Sequence, residues 1–556
     1  MLPGMDSPFI YVANKLGASS DELKLIFSFL LSYPLAAVLK RIPDSKPWQK
    51  NIFIVGVSLF YLVGLFDLWD GLWTLFVSSA GSYAIAYFID GSFMPWVGFA
   101  FMMGHMAVNH IYRQLAANPS GVDITGAQMV LVMKLTAFCW NVHDGRLPAN
   151  ELSDFQKERA IRQLPDLLDY AGYVLFFPSL FAGPAFDYVD YRQYISTSMF
   201  KLPPGVDPSK APPTRKKRKI PRSGRPASWK AAQGLFWIVL FLQFSGRYNP
   251  EKLLSDRFLE YGFVRRVGFL WALGFTTRTK YYGVWALTEG ACILSGIGYA
   301  GIDAKTGRAK WDRLVNVIPQ EIELAQNTRA FLGSWNINTN SWLRNYMYLR
   351  VTPKGKKPGF RATLATFVTS AFWHGFYPGY YLAFVLASFL QTIAKHGRRL
   401  FRPFFLTPDS TAPTQYKIYY DVFTWVVTQA AFAFTVQPFI LLTLAATVKC
   451  WARVYFYGIV GVIACFAFLN SPAKLAVVKR LKMRNQPGGI QRAASAEVLP
   501  GGTLGLPDDP EKEVEDMVVE VRAEIERMKR EGRGSIDVPD VRAMVQERLR
   551  RRGKLV

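Results

Sequence analysis

The chain has 556 residues, of which 50% are hydrophobic and 15% aromatic, and its formal net charge is +25. A soluble protein of this length distributes its apolar residues with the periods of helices and strands, whereas here they stand in uncharged blocks. This pattern excludes an ordinary soluble enzyme. Four blocks each reach the roughly 18 to 20 apolar residues that a helix needs to cross a bilayer: Gly71–Ile89, Gly91–Tyr112, Phe423–Val448 and Val454–Ala473.

Less regular apolar stretches, several of them interrupted by Gly, Pro or a single charge, add further candidate spans. They cover residues 23–41, 51–69, 127–142, 169–184, 231–246, 258–275 and 281–300. Together with the four clean blocks, they predict an all-α polytopic membrane protein with about 10–12 transmembrane helices. The four cysteines form no CxxC pair, so neither a disulfide framework nor a metal cluster is expected.

The same distribution divides the chain into three regions. Residues 1–22 form an N-terminal lead-in, residues 23–475 form the transmembrane domain, and residues 476–556 form a charged cytosolic tail. Between Val514 and Met528, the apolar residues of the tail recur three and four positions apart, which predicts an amphipathic helix. A partner that binds this tail, or a homo-oligomer, is left open.

Much of the positive charge lies in one loop. Ten basic residues and one acid fall between Lys201 and Lys230. The run RKKRK within it resembles a nucleic-acid patch, but short loops rich in Lys and Arg stay on the cytosolic side of polytopic proteins. Such a loop also contacts anionic lipid head groups. We therefore expect membrane lipids as partners and no nucleic acid.

One histidine stands in an unusual place. No Asp, Glu, Lys or Arg occurs from Ala362 through Ala394, and His374 lies inside this run beside Trp373 and Gly375. Ionisable residues inside membrane segments face a cavity or the protein interior, because a polar group in the bilayer core is costly unless it is satisfied. The residue is either a structural histidine hydrogen-bonded between helices or a functional one.

The segment just upstream favours the functional interpretation. Residues 331–351 (FLGSWNINTNSWLRNYMYLRV) hold a density of amides and indoles that is wrong for a lipid-facing span. Trp335, Asn336, Asn338 and Asn340 stand close together in it. The sequence predicts a polar cavity or a re-entrant element here, in which an asparagine converges with His374 on one substrate.

Three further groups are candidate substrate contacts. Asn141 and Asp144 follow an apolar helix in MKLTAFCWNVHDGR. Glu289 is a lone carboxylate in an otherwise uncharged stretch and is either a helix-packing partner or part of a reaction chamber. A basic loop directly before the His374 segment carries possible phosphate contacts, although cytosolic topology explains its charge equally well: Lys354, Lys356, Lys357 and Arg361.

The motifs SWNINTNSWLRNYMYLRV and TSAFWHGFYPGYYLAF resemble the signature of the membrane-bound O-acyltransferase family. Within it they are most similar to the fungal broad-specificity lysophospholipid acyltransferases. LVMKLTAFCWNVHDGR, FFPSLFAGPAFDYVDY and YYGVWALTEGACILSGIGY extend the resemblance over roughly residues 20 to 475. The loop at 201–230 and the tail are not covered comparably.

The resemblance implies roles for two residues. The histidine of the WHG element is catalytic in the family, which points to His374, and the asparagine of the upstream WN element points to Asn336. Asn338 lies only two positions further on, so spacing alone leaves it open as the functional amide. The family fold is a ring of helices around a tunnel, in which a fatty acyl chain passes from acyl-CoA to a lipid.

The implied reaction belongs to phospholipid synthesis and remodelling in the endoplasmic reticulum membrane. The acceptors are lysophosphatidylcholine, -ethanolamine, -serine and lysophosphatidic acid, each acylated at its free sn-2 hydroxyl. Acyl-CoA is a co-substrate, so no cofactor is expected. The five histidines show no ligand spacing supported by carboxylates, so no metal is expected either. Another acceptor, such as a sterol, diacylglycerol or a peptide, and a polytopic transporter remain alternatives.

Overall fold

A computed structural model describes residues 6–16, 19–116, 123–202, 211–303, 306–352, 360–407 and 412–484. Helices dominate these ranges. The described residues form isolated β-bridges, such as that between Thr214 and Pro221, but no sheet. An all-α architecture is therefore confirmed. The chain folds as two compact units, of which the first comprises residues 1–246, 276–317 and 372–376, and the second comprises the rest.

The first unit contains the helices of the N-terminal half. They are α1 (Asp6–Leu16), α2 (Ser20–Leu39), α3 (Pro47–Leu59), α4 (Trp69–Phe88), α5 (Met94–Leu115), α6 (Thr125–Arg146), α7 (Asp154–Arg159), α8 (Leu167–Val174), α9 (Tyr188–Ile195) and α10 (Gly224–Ser245). A π-helical turn, Phe60–Leu65, extends α3 without a break.

Helix α6 lies at the centre of the first unit, against α4 and α5. Most of its side chains are buried, the polar ones included. Asn109 of α5 donates its Nδ2 to Oε1 of Gln128 at 2.6 Å, and the hydroxyl of Thr136 donates to the carbonyl of Val132 at 2.7 Å. Such pairing is what a bilayer demands, because buried polar groups have no water to bind.

The second unit contains most of the C-terminal helices. They are α11 (Pro250–Leu254), α12 (Phe263–Ser295), α13 (Pro319–Glu323), α14 (Thr328–Gly333), α15 (Ile337–Leu343), α16 (Phe360–His374), α17 (Pro378–Phe401), α18 (Lys417–Thr435), α19 (Gln437–Leu441), α20 (Leu444–Arg453), α21 (Tyr457–Leu469) and α22 (Pro472–Arg484). Residues of α12 from Thr276 onward belong to the first unit, as do the last three of α16.

Three helical stretches among the described residues are long and apolar enough to cross a bilayer on their own: Ser20–Leu39, Pro47–Leu65 and Lys417–Leu441. A fourth is added if α20 and α21, bent by 77°, count as one span. Helices such as α6 are long enough but carry polar residues that face the protein interior, which lowers their mean hydropathy. The number of about 10–12 spans stays a prediction.

Three of the predicted spans have a different form in the structure. The helix in residues 169–184 ends at Val174; Pro178 follows in a short 3-10 turn, Phe177–Ser179, and the Gly183-Pro184 pair in irregular backbone. Proline lacks an N–H and cannot continue a helix. The stretches 258–275 and 281–300 instead share one 33-residue helix, α12, since no Pro interrupts the chain between Phe263 and Ser295.

The described part of the basic loop is anchored to the first unit. Lys40, which follows α2, donates from its Nζ to the carbonyl of Pro221 and to Oγ of Ser223, the latter at 2.7 Å. Burial, together with the smaller effect of the Arg215 charge, lowers the pKa of Lys40 to about 7. The backbone N–H of Lys219 donates to Asp44 at 2.8 Å. The loop is therefore held by specific contacts in addition to any attraction to head groups.

A paired glycine substitution in α17 tests the packing of the second unit. The N–H of Gly379 donates to the carbonyl of Leu442 at 2.7 Å, and an added Cβ would collide with the carbonyl oxygen of Pro438. Gly397 lies in the same helix with open space beside it. We expect Gly379→Ala to cost about 1–3 kcal/mol or more through overpacking, measured as a lower unfolding temperature in detergent.

Gly397→Ala is the matched control. It adds the same methyl group without a clash, and alanine is favoured over glycine inside a helix by about 0.5–1 kcal/mol. Equal unfolding temperatures for the two variants would contradict the packing described here.

Candidate functional site

His374 is the last residue of α16, and the backbone turns sharply after it. Gly375 has a φ of +119°, which side chains other than glycine rarely allow, and its N–H donates to the carbonyl of Phe372 at 3.1 Å. A glycine just beyond a helix end is the common way to stop a helix. The WHG motif therefore places the imidazole at a helix terminus.

Two hydrogen bonds fix this turn in the first unit. Nε1 of Trp373 donates to the carbonyl of Met129 in α6 at 3.0 Å. Nε2 of His110 in α5 donates to the carbonyl of Trp373 at 3.1 Å. A Cβ added to Gly375 would lie 3.2 Å from Nδ1 of His110, so glycine also permits the close approach of this ring.

His110 is a residue that the sequence analysis did not assign to the site. It is 8% exposed and lies within the uncharged run 91–112. The signal was available, because a polar side chain inside an apolar helix requires a partner. The partner is a backbone carbonyl 263 positions away in the chain, and sequence spacing cannot show such a contact.

The imidazole of His374 is half-buried, whereas its neighbours Ala371 and Trp373 are only 2% and 5% exposed. Its ring lies edge-on to the Trp373 indole, with centroids 4.7 Å apart. His374 is thus less enclosed than its two neighbours in the chain. A general base must be within reach of the substrate hydroxyl.

The asparagine-rich segment of the second unit consists of short elements, as a re-entrant or cavity-lining stretch requires. Helix α14 ends at Gly333, α15 begins at Ile337, and a π-helical turn follows at Arg344–Tyr348. Asn340, 3% exposed, donates its Nδ2 to the carbonyls of Leu332 and Trp335 at 2.9 and 2.8 Å. Its amide N–H groups are committed to the backbone of the preceding turn.

Asn336 differs from Asn340 in both backbone and partners. Its φ of 46° and ψ of 54° are left-handed, and its side chain does not cap the helix that it precedes. Its Oδ1 accepts a hydrogen bond from the hydroxyl of Thr339 at 2.9 Å. Asn338 is likewise half-buried. His374 and Asn336 belong to different units, so their convergence on one substrate stays a prediction.

Asn141 and Asp144 are fully buried near the end of α6, where each is tied to the following loop. Nε2 of Gln156 donates to Oδ1 of Asp144 at 3.0 Å, and the N–H of Ile161 donates to the carbonyl of Asn141 at 2.8 Å. The bond from Gln156 gives the buried carboxylate of Asp144 a partner, whereas the bond to Asn141 involves only its backbone carbonyl. A role in substrate binding is untested for both residues.

Glu289 is 1% exposed, and its Oε1 lies 2.8 Å from Nζ of Lys230. This ion pair joins α12 to α10. This ion pair accounts for the carboxylate without a substrate, as the helix-packing alternative requires. Of the predicted phosphate contacts, Lys354, Lys356 and Lys357 lie outside the described residues, as does the side chain of Arg361.

The family model for "MBOAT, membrane-bound O-acyltransferase family" matches residues 110–437, which is more than half of the chain. The chain belongs to the membrane-bound O-acyltransferase family. The match begins at His110 and includes Asn336 and His374. Membership makes this O-acyltransferase a polytopic membrane protein, which the apolar helices of the structure support.

Characterised relatives cover most of this acyltransferase. It is 45% identical over 480 residues to a lysophospholipid acyltransferase of Schizosaccharomyces pombe. The aligned residues cover 86% of this chain and 92% of the relative. It is 43% identical over 473 residues to a lysophospholipid acyltransferase of Saccharomyces cerevisiae, covering 84% of this chain and 76% of that one. A human membrane-bound glycerophospholipid O-acyltransferase 2 is 29% identical over 495 residues, with 87% and 90% covered.

The ion pair of Glu289 generates a stability prediction. Removing one partner of a buried pair leaves an uncompensated charge and costs up to about 3–5 kcal/mol, whereas replacing both partners by apolar residues is often neutral. We expect Lys230→Met to lower the unfolding temperature and Lys230→Met with Glu289→Met to restore most of it.

The exposed pair of Lys280 and Glu22 provides the matched control in the same unit. Its side chains are 45% and 40% exposed, and Nζ lies 2.8 Å from the carboxylate. Solvent-exposed pairs contribute about 0–1 kcal/mol. A Lys230→Met variant as stable as Lys280→Met would show that the buried pair is not formed.

Proposed function

We propose that this protein is an acyl-CoA-dependent lysophospholipid O-acyltransferase of the endoplasmic reticulum membrane. It transfers a fatty acyl chain to the free sn-2 hydroxyl of lysophosphatidylcholine, -ethanolamine, -serine or lysophosphatidic acid. The observation that carries the proposal is the 45% and 43% identity to two enzymes named lysophospholipid acyltransferases over more than four fifths of this chain. The accessible imidazole of His374, fixed at the end of α16, supplies the chemistry.

In the proposed reaction, the neutral imidazole of His374 takes the proton of the lysophospholipid hydroxyl as its oxygen attacks the thioester carbonyl. The carbonyl electron pair moves to oxygen and returns as the C–S bond breaks, and the CoA thiolate leaves and receives the proton. General-base help of this kind contributes about 10²–10⁴-fold. The thioester is already activated, so neither a Ser or Cys acyl-enzyme nor a cofactor is required.

Asn336 is the proposed second catalytic residue, and Trp335, Asn338 and Trp373 are proposed substrate contacts. Both substrates carry long chains, which an apolar tunnel binds at about 0.8 kcal/mol per buried CH₂. The basic loop before α16, with Lys354, Lys356, Lys357 and Arg361, is proposed to contact the CoA phosphates from the cytosol.

Other acceptors define the competing proposal. A sterol or diacylglycerol also offers a hydroxyl, and the shape of the cavity decides which molecule is acylated. The names of the relatives favour lysophospholipids. Membership in an O-acyltransferase family argues against the alternative hypothesis of a transporter.

Acyl transfer by the purified protein tests the proposal. We expect the wild type to join labelled oleoyl-CoA to lysophospholipids and to leave cholesterol and diacylglycerol unmodified. His374→Ala should lower turnover at least about 100-fold, because it removes the base, while the unfolding temperature stays close to that of the wild type.

His396→Ala is the control, since it removes an imidazole from α17, outside the WHG motif. Turnover of His374→Ala within tenfold of the His396→Ala variant would reject the base assignment. A wild-type enzyme that acylates only sterol or diacylglycerol would reject the acceptor class.

A further inference from the structure

We propose that Thr339 is a positioning residue, which holds the Asn336 carboxamide by its oxygen so that its Nδ2 donates to the thioester oxygen in the transition state. This inference rests on the proposed function. It adds Thr339 to the site and assigns the Nδ2 of Asn336, not its Oδ1, to the substrate. The hydroxyl of Thr339 lies 2.9 Å from Oδ1 of Asn336.

The position of Asn336 is where an asparagine normally caps a helix. A capping side chain has extended backbone, and its oxygen accepts from backbone N–H groups of the first turn. Asn336 directly precedes α15 but has left-handed backbone, and its side chain accepts no such bond. Its oxygen is bound instead by the side chain of Thr339, the third residue of the helix.

A left-handed conformation is costly for residues other than glycine, although asparagine tolerates it best. Such backbone persists where the surroundings enforce it and is concentrated at functional sites. At Asn336 the left-handed backbone goes with a carboxamide that does not accept from the N–H groups of the first helical turn. The helix loses a cap, and the side chain becomes available for another partner.

The oxygen and the nitrogen of this carboxamide have different surroundings. Oδ1 accepts from Thr339, whose side chain is buried with 4% exposure, so water does not compete for the hydroxyl. The Nδ2 of Asn336 has no hydrogen-bond partner within the described ranges, and the residue is half-buried. The donor end of the amide is therefore the end left for a ligand.

Asn340, one turn further along α15, shows the contrasting arrangement. Its Nδ2 donates to two backbone carbonyls, those of Leu332 and Trp335. An asparagine side chain thus binds the backbone through its Nδ2 at position 340, whereas at position 336, among the described residues, only its Oδ1 is bound by a neighbouring side chain. This contrast separates two of the three neighbouring amides that sequence spacing leaves equivalent.

The chemistry of acyl transfer needs such a donor. When the hydroxyl oxygen attacks the thioester carbon, the carbonyl electron pair moves onto oxygen, and an N–H aimed at that oxygen stabilises the developing charge. A carboxamide that rotates freely could present its own oxygen instead, which would repel the charge. The hydrogen bond from Thr339 selects the productive orientation.

Steady-state kinetics of purified full-length variants test this. Thr339→Val removes the hydroxyl at nearly constant volume, Thr339→Ser keeps it, and Asn336→Asp keeps an acceptor for Thr339 but has no N–H. We expect Thr339→Val to lower kcat about 10- to 100-fold, Asn336→Asp to lower it about 100- to 1,000-fold, and Thr339→Ser to stay within about threefold. KM for oleoyl-CoA and lysophosphatidylcholine should change less than twofold.

Thr435→Val is the matched control. Thr435 belongs to the second unit, is 3% exposed, and donates its hydroxyl to the carbonyl of Ala431 at 2.8 Å. It should retain wild-type kcat. In an Asn336→Ala background, Thr339→Val should have no further effect on kcat, because residues that act as one unit are not additive.

Three results would overturn the inference while the proposed function stands. They are a kcat for Thr339→Val within twofold of Thr435→Val, equal losses in the Ser and Val variants, and an active Asn336→Asp enzyme. If Thr339→Val does not fold, Thr339→Ala tests the same loss, with the unfolding temperature as the check. A wild-type protein without acyl transfer would instead reject the proposed function.

Discussion

Polar groups inside a bilayer must find their hydrogen bonds within the protein, and the candidate site of this acyltransferase depends on that constraint. The turn that carries His374 is fixed by the indole N–H of Trp373 on Met129 and by the imidazole of His110 on the carbonyl of Trp373. Both bonds join distant parts of the chain in an apolar setting. Without them, the carbonyls of Met129 and Trp373 would lose these partners, and a buried carbonyl without a partner is costly.

The residues of the motif WHGFYPG, 373–379, have separate structural roles. Tryptophan at 373 anchors the turn, and glycine at 375 allows its backbone and the approach of His110. Pro378 begins α17, where a missing N–H is harmless, and Gly379 admits the chain at Pro438. Four of the motif residues therefore serve the backbone, and the histidine between them is the proposed base.

Much of this architecture could be predicted from the sequence. The bounds of α4 and α5 were predicted closely, because a long run of residues without charge leaves a signal in composition alone. The polar stretch after Phe331 was correctly distinguished from a spanning helix, because its amides are incompatible with lipid. The helix boundaries in 169–184 and 258–300 were harder to predict, because turn geometry and helix continuity depend on local and tertiary contacts.

The sequence marked His374 and the group of asparagines as candidate site residues, and their roles stay a prediction. It did not show which amide the backbone uses, since only the contacts of Asn340 separate it from Asn336. The partner of Glu289 was also hidden, since Lys230 lies 59 positions away on another helix. Spacing along the chain reports which residues share a helix face, whereas partners on other helices depend on packing that a single sequence does not encode locally.

The most direct measurement is an experimental structure of the wild-type enzyme with a non-transferable acyl-CoA analogue and lysophosphatidylcholine. The account predicts a ring nitrogen of His374 within about 2.6–3.2 Å of the lysophospholipid hydroxyl, either directly or through one water. An imidazole that points at the acyl tails of the bilayer, with no substrate or water beside it, would contradict the account.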